Sequence, residues 1–448
     1  QGCLEEGAVP GTRVLPEGAH PKLDELCQLR RKPRIRHAHC LTADTTVSHG
    51  HGQMHSKFWL LHFVSTQAER REARLRLVVT SGNATPSAFG GMPDRRQLCG
   101  LWWADFDIAS DAAAAATDDE GDGVDGAAAP APPPSAFRAT LLHHVEALLA
   151  SKPHHGAGSA ANRSAAEALW RRLRAAVELA DTSTADEAGT TLIAHAPGTY
   201  PQRPAAEAVP QGVAALRACW RAALRHPVER LDLAVIAHCA CGWSAGGDGA
   251  QRFGEWCAAA APNGGRVAFH WPQRGDSSIL GPKRAAEART GYKDCEPPKW
   301  VAALPMVRLR LRKDVIATGE RGGYQATPHL MLYVLHEPIA AEGDLPVARR
   351  LLLTSANLSA APWGYARGEQ LEIRNFELGV SVVPERPSEL VEPLGDLAAT
   401  GGAGRSRVAW AQAIPFDIGR RMPCDDPFLN KALLSKADGQ AERGHLNY

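Results

Sequence analysis

HSKFWLLHFVSTQAERREARLRLVVTSGN, residues 55–83, has a second version in HLMLYVLHEPIAAEGDLPVARRLLLTSAN, residues 329–357. Each begins with His, reaches a further His after an apolar run, and ends in Thr-Ser-x-Asn. Asn83 follows His55 by 28 residues, and Asn357 follows His329 by the same 28. A lone His-x-Lys is nearly meaningless, and a lone Thr-Ser-x-Asn is only a turn. Found twice at one spacing, the pair marks an internal repeat. Two related halves are expected, each with a His-x-Lys or His-x-Met strand and a later strand ending in Thr-Ser-x-Asn.

Chemistry follows from that arrangement. Residues two apart on a strand share a face, so His55 and Lys57 point the same way, as do His329 and Met331. Asn83 and Asn357 close their strands where turns begin. If the halves pack about a pseudo-twofold axis, two His, one Lys and two Asn meet in one pocket. That set holds a nucleophile, a general acid, a cation and two amide donors. It suits an anionic tetrahedral centre such as a phosphodiester undergoing displacement.

Bulk properties narrow the alternatives. The 448 residues suffice for two or three domains, with 44% hydrophobic and 22% charged residues. No apolar run reaches transmembrane length, so no membrane partner is expected. A net charge of +1 excludes a uniformly basic nucleic-acid binder and leaves local patches such as RRKPRIRH (30–37). The ten Cys contain no Cys-x-x-Cys pair, which points to reduced thiols rather than a disulfide framework or a zinc site. His49, His51 and His55 in SHGHGQMH (48–55) are spaced for a metal. With His55 as nucleophile, that cluster reads instead as loop polarity. No phosphate-cradling GxxxxGK[ST] supports ATP-driven chemistry. The chain opens on Gln1, so its natural start is expected to be missing.

Strand and helix signals alternate. Buried strands are expected in RLRLVVTSGN (74–83), TTLIAHAPG (190–198), RLDLAVIAHCACG (230–242), RRLLLTSAN (349–357) and LEIRNFELGVSVV (371–383). Helices are expected at 139–150, 164–180 and 213–224. This is an α/β pattern with mixed sheets. Residues 107–137, rich in Ala, Asp, Gly and Pro, read as a disordered acidic insertion, and 154–164 as a loop. His62 and His336 lie an odd number of residues beyond His55 and His329, so both read as structural. His143–His144 and His154–His155 read as solvated.

At the repeated residues the chain resembles the tyrosyl-DNA phosphodiesterase family of the phospholipase D superfamily. The superfamily's usual HxKxxxxD has its Asp place filled here by His62 and His336, and lacking that Asp is a mark of this family. TPHLMLY (327–333), LLLTSANLSAAPWG (351–364) and GEQLEIRNFELGVSVVP (368–384) resemble its second-half segments. LIAHAPGTY (192–200), AVIAHCACGW (234–243) and IPFDI (414–418) resemble further segments, so the likeness runs from about residue 40 to 430.

The resemblance implies an α/β fold of two related phospholipase D-like domains, residues 1–206 and 207–448. Each would be a mixed β-sheet flanked by helices, with the active site at the pseudo-twofold interface. It implies that His55 attacks phosphorus, that His329 protonates the leaving oxygen and then activates water, and that Lys57, Asn83 and Asn357 hold the phosphoryl oxygens. Ser355 and Ser359 would add contacts near the phosphate. Glu377 would orient a catalytic His, and Gln97 would do similar work in the first half. The implied function is a DNA-repair phosphodiesterase of exonuclease character. It would hydrolyse 3′-phosphotyrosyl and related adducts on single-stranded DNA ends through a covalent phosphohistidine.

The implied setting is a nuclear monomer with no metal and no cofactor. Two departures stand out: Met331 replaces the family's second Lys, and His51 stands where relatives carry an aromatic residue. Two other readings stay open. One is a weakened or inactive homologue that binds DNA or RNA ends. The other is a phosphodiesterase acting on a different nucleic-acid or phosphodiester substrate.

Overall fold

The apolar runs and helical spacings become the expected alternation of strands and helices. The computed structural model describes residues 2–5, 37–40, 46–47, 50–51, 53–64, 73–83, 97–108, 132–151, 160–205, 208–237, 240–241, 243, 249–271, 306–308, 327–340 and 346–384. Before residue 206 come β1 (Phe58–Val64), β2 (Ala73–Thr80), β3 (Leu101–Ile108), α1 (Ala136–Ala150), α2 (Ala160–Leu179), β4 (Thr191–His195) and β5 (Gly198–Pro201). After it come α3 (Gly212–Arg221), β6 (Asp232–Ile236), α4 (Gly249–Ala260), β7 (Val267–Trp271), β8 (Met306–Arg308), β9 (Leu332–His336) and β10 (Ala348–Thr354). The last strands are β11 (Tyr365–Arg367), β12 (Gln370–Ile373) and β13 (Asn375–Val382).

Strands β1, β2 and β3 form an antiparallel sheet. The large sheet has the order β4-β13-β10-β9-β6-β7-β8. It is parallel at β6–β7 and β7–β8 and antiparallel at the other junctions. β5, β12 and β11 make a third, antiparallel sheet. Both β4 and β5 therefore pair with strands from the far part of the chain. Gln53–Met54 also joins β13, in parallel.

Side-chain alternation explains the layers. β6 (DLAVI) and β9 (LYVLH) are buried at every position, as strands covered on both faces are. Leu233, Val235, Tyr333 and Leu335 pack with Leu216, Trp220 and Trp256 of α3 and α4. Ala234, Ile236, Leu332 and Val334 face the opposite cluster. In α1, Phe137, Leu141, His144 and Val145 are buried, one stripe at helical spacing. Ser135 caps that helix, its Oγ accepting the Arg138 N–H at 3.0 Å, a contact worth about 1 kcal/mol.

Leu378 and Val380 of β13 join a core built from β2, β3, α1 and α2. One strand of the large sheet is thus packed against elements that precede residue 181, and this brings the two repeats together.

Three expectations need correction. The acidic segment assigned to 107–137 is folded at both ends. Asp107 and Ile108 belong to β3, and Phe137, 1% exposed, is a core residue of α1. Residues 109–131 lie outside the described residues. The loop assigned to 154–164 gives way to α2 from Ala160. His144 is buried rather than solvated, since it sits on the apolar stripe of α1. His154–His155, His49, RRKPRIRH (30–37) apart from the backbone of His37, and IPFDI (414–418) also fall outside the described residues. Of His51 only the backbone is described.

Candidate active site

His55, Ser56 and Lys57 lie just ahead of β1, and His329, Leu330 and Met331 just ahead of β9. The His-x-Lys unit is therefore extended chain leading into a strand, not strand itself. The shared-face expectation still holds, for Lys57 Nζ donates to His55 Nε2 at 2.8 Å.

The two repeats make the same hydrogen bonds. Thr80 N–H donates to Lys57 O at 2.9 Å, and Thr354 N–H to Met331 O at 3.1 Å. Gly82 N–H donates to Thr80 Oγ1 at 3.0 Å, and Ala356 N–H to Thr354 Oγ1 at 3.1 Å. Ser81 N–H donates to Gly100 O at 3.1 Å, while Gly100 N–H donates to Ser81 Oγ at 2.8 Å. Ser355 and Leu378 repeat that exchange at 3.1 and 3.0 Å. A Cβ at Gly100 would collide with the side chains of Leu353 and Leu330, so a glycine lets the halves approach here.

Each half holds the histidine of the other. His55 N–H donates to Phe376 O at 3.1 Å. His55 Nδ1–H donates to the Glu377 carboxylate, 2.9 Å from Oε1 and 3.0 Å from Oε2. Conversely, His329 Nδ1–H donates to Ser81 O at 2.9 Å. Both Nδ1 atoms are thus engaged by the facing half, and His55 Nε2 accepts from Lys57 Nζ. Asn83 Nδ2 lies 3.5 Å from His329 Nε2.

Glu377 is 1% exposed, so its charge needs partners. Besides His55, it accepts from Ser355 Oγ at 2.6 Å and from Asn375 Nδ2 at 3.1 Å. Burial alone would raise its pKa. The pull of His55, reinforced by Lys57 and Ser355, takes it instead to about 2. His55 titrates below the ordinary imidazole range because burial, then Lys57, outweigh the opposing pull of Glu377. A neutral ring keeps an Nε2 lone pair, here accepting from Lys57 Nζ, and that is the form a nucleophile needs once the contact is released.

The remaining sequence candidates are distributed as follows. Ser355 is in the site, but its hydroxyl serves Glu377 and the Leu378 carbonyl. Met331 is fully buried beside the Thr354 turn. Asn357 closes that turn, its carbonyl accepting from Trp363 Nε1 at 3.0 Å and Ser359 N–H at 2.8 Å. Ser359 is buried and pairs through its backbone with Ala240–Cys241. Gln97 pairs with Thr327 in a short parallel ladder. The repeated hydrogen bonds make Gly100 the equivalent of Leu378. Cys99, and not Gln97, therefore stands where Glu377 stands.

Sequence reasoning missed Ser81, Asn375 and Cys99. Ser81 was findable, because it is the Ser of the first Thr-Ser-x-Asn. It also passed over the buried contact behind the site, where Ser56 Oγ and His144 Nε2 are 3.1 Å apart.

These features define an α/β protein whose two repeats contribute one histidine each to a shared site. The resemblance to the tyrosyl-DNA phosphodiesterase family is borne out: residues 273–425 match the family model described as tyrosyl-DNA phosphodiesterase. His329, Met331, Ser355, Asn357, Ser359 and Glu377 lie inside that span, and His55, Lys57 and Asn83 outside it. Two crystal structures of yeast tyrosyl-DNA phosphodiesterase, one of a mutant, are similar at a TM-score of 0.40 and 11% identity. Each match covers 69% of this chain and 64% of the yeast chain, just under two thirds of its length. No curated protein matches the chain.

Proposed function

We propose that this protein is a metal-independent phosphodiesterase that removes tyrosyl and related adducts from DNA 3′ ends. The observation that carries the reading is the exchange of histidines between halves: Glu377 holds His55, and Ser81 holds His329. Each ring is held at Nδ1, which makes Nε2 the reacting atom for one nucleophile and one acid acting on the same phosphorus, with Lys57 released from His55 Nε2 when substrate binds.

In the first step the His55 Nε2 lone pair attacks phosphorus as the P–O bond to tyrosine breaks. His329 Nε2–H supplies the proton that the tyrosyl oxygen takes up. In the second step His329 accepts a proton from water, the water oxygen bonds to phosphorus, and the P–N bond breaks. A 3′-phosphate and a neutral His55 remain. Lys57 moves from the His55 ring to the phosphoryl oxygens, where Asn83 and Asn357 donate as well. Such preorganised donors supply the charge stabilisation that a metal provides elsewhere.

The same reading makes the chain a monomer that works on single-stranded 3′ ends in the nucleus, with its two lobes meeting near residue 206. Incubation with a 3′-phosphotyrosyl oligonucleotide in excess chelator tests it, with a 3′-phosphate as the expected product.

Met331 favours a second reading, a weakened homologue that binds DNA or RNA ends without useful turnover. The side chain keeps the length of Lys and loses its charge and donors. Binding of the oligonucleotide without cleavage would select this reading.

A further inference from the structure

The pair His143–His144 on α1 plays no part in the two chemical steps above. His144 is nonetheless fully buried, and its Nε2 lies 3.1 Å from Oγ of Ser56, the equally buried residue between His55 and Lys57. The same ring meets Phe58 edge-on, with centroids 5.5 Å apart, and Phe376 edge-on at 6.2 Å. Ser56 and Phe58 flank Lys57. Phe376 precedes Glu377, and its carbonyl accepts the His55 N–H. One imidazole therefore touches both the segment that carries the nucleophile and the strand that carries its carboxylate. We infer that His144 is a positioning residue, whose bond to Ser56 fixes the His55–Lys57 segment against β13 and so sets the angle at which His55 attacks. The inference rests on the phosphodiesterase reading above.

Physical chemistry gives the bond its direction. Burial, then His143 and His195, take the His144 pKa to about 3 against the pull of Glu377, so the ring is neutral at working pH. A neutral imidazole has one N–H and one lone pair. Nδ1 is buried and has no hydrogen-bond partner among the described residues. A proton there would be an orphaned donor, the costlier way to leave a nitrogen unpaired. The proton therefore belongs on Nε2, and Ser56 Oγ accepts it. His143 ties α1 down from the other side, its Nε2 lying 3.2 Å from the Gln211 amide nitrogen. Gln211 Oε1 in turn accepts the Ala196 N–H at 3.0 Å, next to His195, which pairs in register with Glu377. The two histidines thus brace α1 against both walls of the half-site around His55. The competing view is that His144 only fills the buried stripe of Phe137, Leu141 and Val145.

Four variants separate these views: Ser56→Ala, His144→Phe, the two combined, and His144→Gln. His144→Phe keeps a ring between Phe58 and Phe376 and removes the bond, whereas His144→Gln returns an N–H. On a 3′-phosphotyrosyl oligonucleotide, Ser56→Ala and His144→Phe are each expected to lower kcat about tenfold with KM within about twofold, as misplaced reacting groups do. The combined variant should be no slower than either alone, because both changes delete one bond. His144→Gln should recover most of the loss. Without substrate, the NMR resonance of the His55 Nδ1–H proton should shift or broaden in Ser56→Ala and His144→Phe and return in His144→Gln. A lowered Tm with kcat and the His55 resonance unchanged would leave His144 a packing residue and overturn the inference, as would losses that multiply in the combined variant. If His144→Phe does not fold, Ser56→Ala decides alone, and an unmoved His55 resonance overturns the inference. The resonance needs no substrate, so failure of the wild type to cleave would reject the phosphodiesterase reading without affecting this result.

Discussion

Glu377 on β13 grips the imidazole of His55, 322 residues away in sequence, at 2.9 Å. The contact links chemistry to fold, since it exists only because β13 packs against the first half. It also gives the first test. Glu377→Gln keeps the shape and removes the charge, leaving the ring free to adopt the wrong tautomer. Cleavage is expected to fall by at least about 100-fold, by analogy with loss of the orienting carboxylate in a serine-protease triad. Steady-state kinetics on a 3′-phosphotyrosyl oligonucleotide checks this, and a loss under about threefold would mean that Glu377 does not support the nucleophile.

The division of labour between the histidines predicts a trapped intermediate. His329→Asn lacks the group that activates water, so a substrate with a good leaving group is expected to leave a covalent protein–DNA adduct on His55. His55→Ala is expected to give no adduct and almost no cleavage. Denaturing gels read both outcomes. An adduct in His55→Ala and none in His329→Asn would exchange the roles.

Met331 lies where the first repeat holds Lys57, and Lys57 is itself only 3% exposed. The fold therefore accommodates a lysine in this setting when its ammonium has partners. Loss of one well-placed donor to a transition-state anion costs about 10²–10³ in rate. Met331→Lys is expected to recover at least about tenfold of it. A stable Met331→Lys protein with unchanged turnover would show that the missing charge does not limit the enzyme.

Behind the site, His195 is paired in register with Glu377 and buried against Trp363. Burial, against the pull of Glu377, lowers its pKa to about 4. The folded protein thus excludes a proton that the unfolded chain binds. Stability is expected to fall as pH drops from about 6.5 towards 4, the window between the unfolded and folded values. His144, lowered to about 3 for the same reason, adds to the trend. His195→Phe removes one of these groups, so the loss of Tm between pH 7.5 and pH 5 should be smaller than in the wild type. An equal loss would contradict the assignment.

The duplicated frame was legible because two functional residues and their 28-residue spacing survive in both halves. The α/β class was legible from apolar runs such as LAVI (233–236) and from the helical spacing of apolar residues in 139–150. Glu377 came only with the family resemblance, through FELG. Cys99 escaped for a definite reason. It follows Asn83 by 16 residues, whereas Glu377 follows Asn357 by 20, so the spacing that found the histidines does not carry to the residues behind them. Only the strand register restores the equivalence. His144 was misjudged because a His-His pair on a helix looks polar, although one of the two falls on the buried stripe.

The most direct test of the account is a single assay: wild-type protein, a 3′-phosphotyrosyl oligonucleotide and excess EDTA, with products resolved by size and end group. A 3′-phosphate product is expected at a rate unaffected by chelator and abolished by His55→Ala. No product at any protein concentration, or product that disappears in EDTA and returns with Mg²⁺ or Zn²⁺, would contradict it.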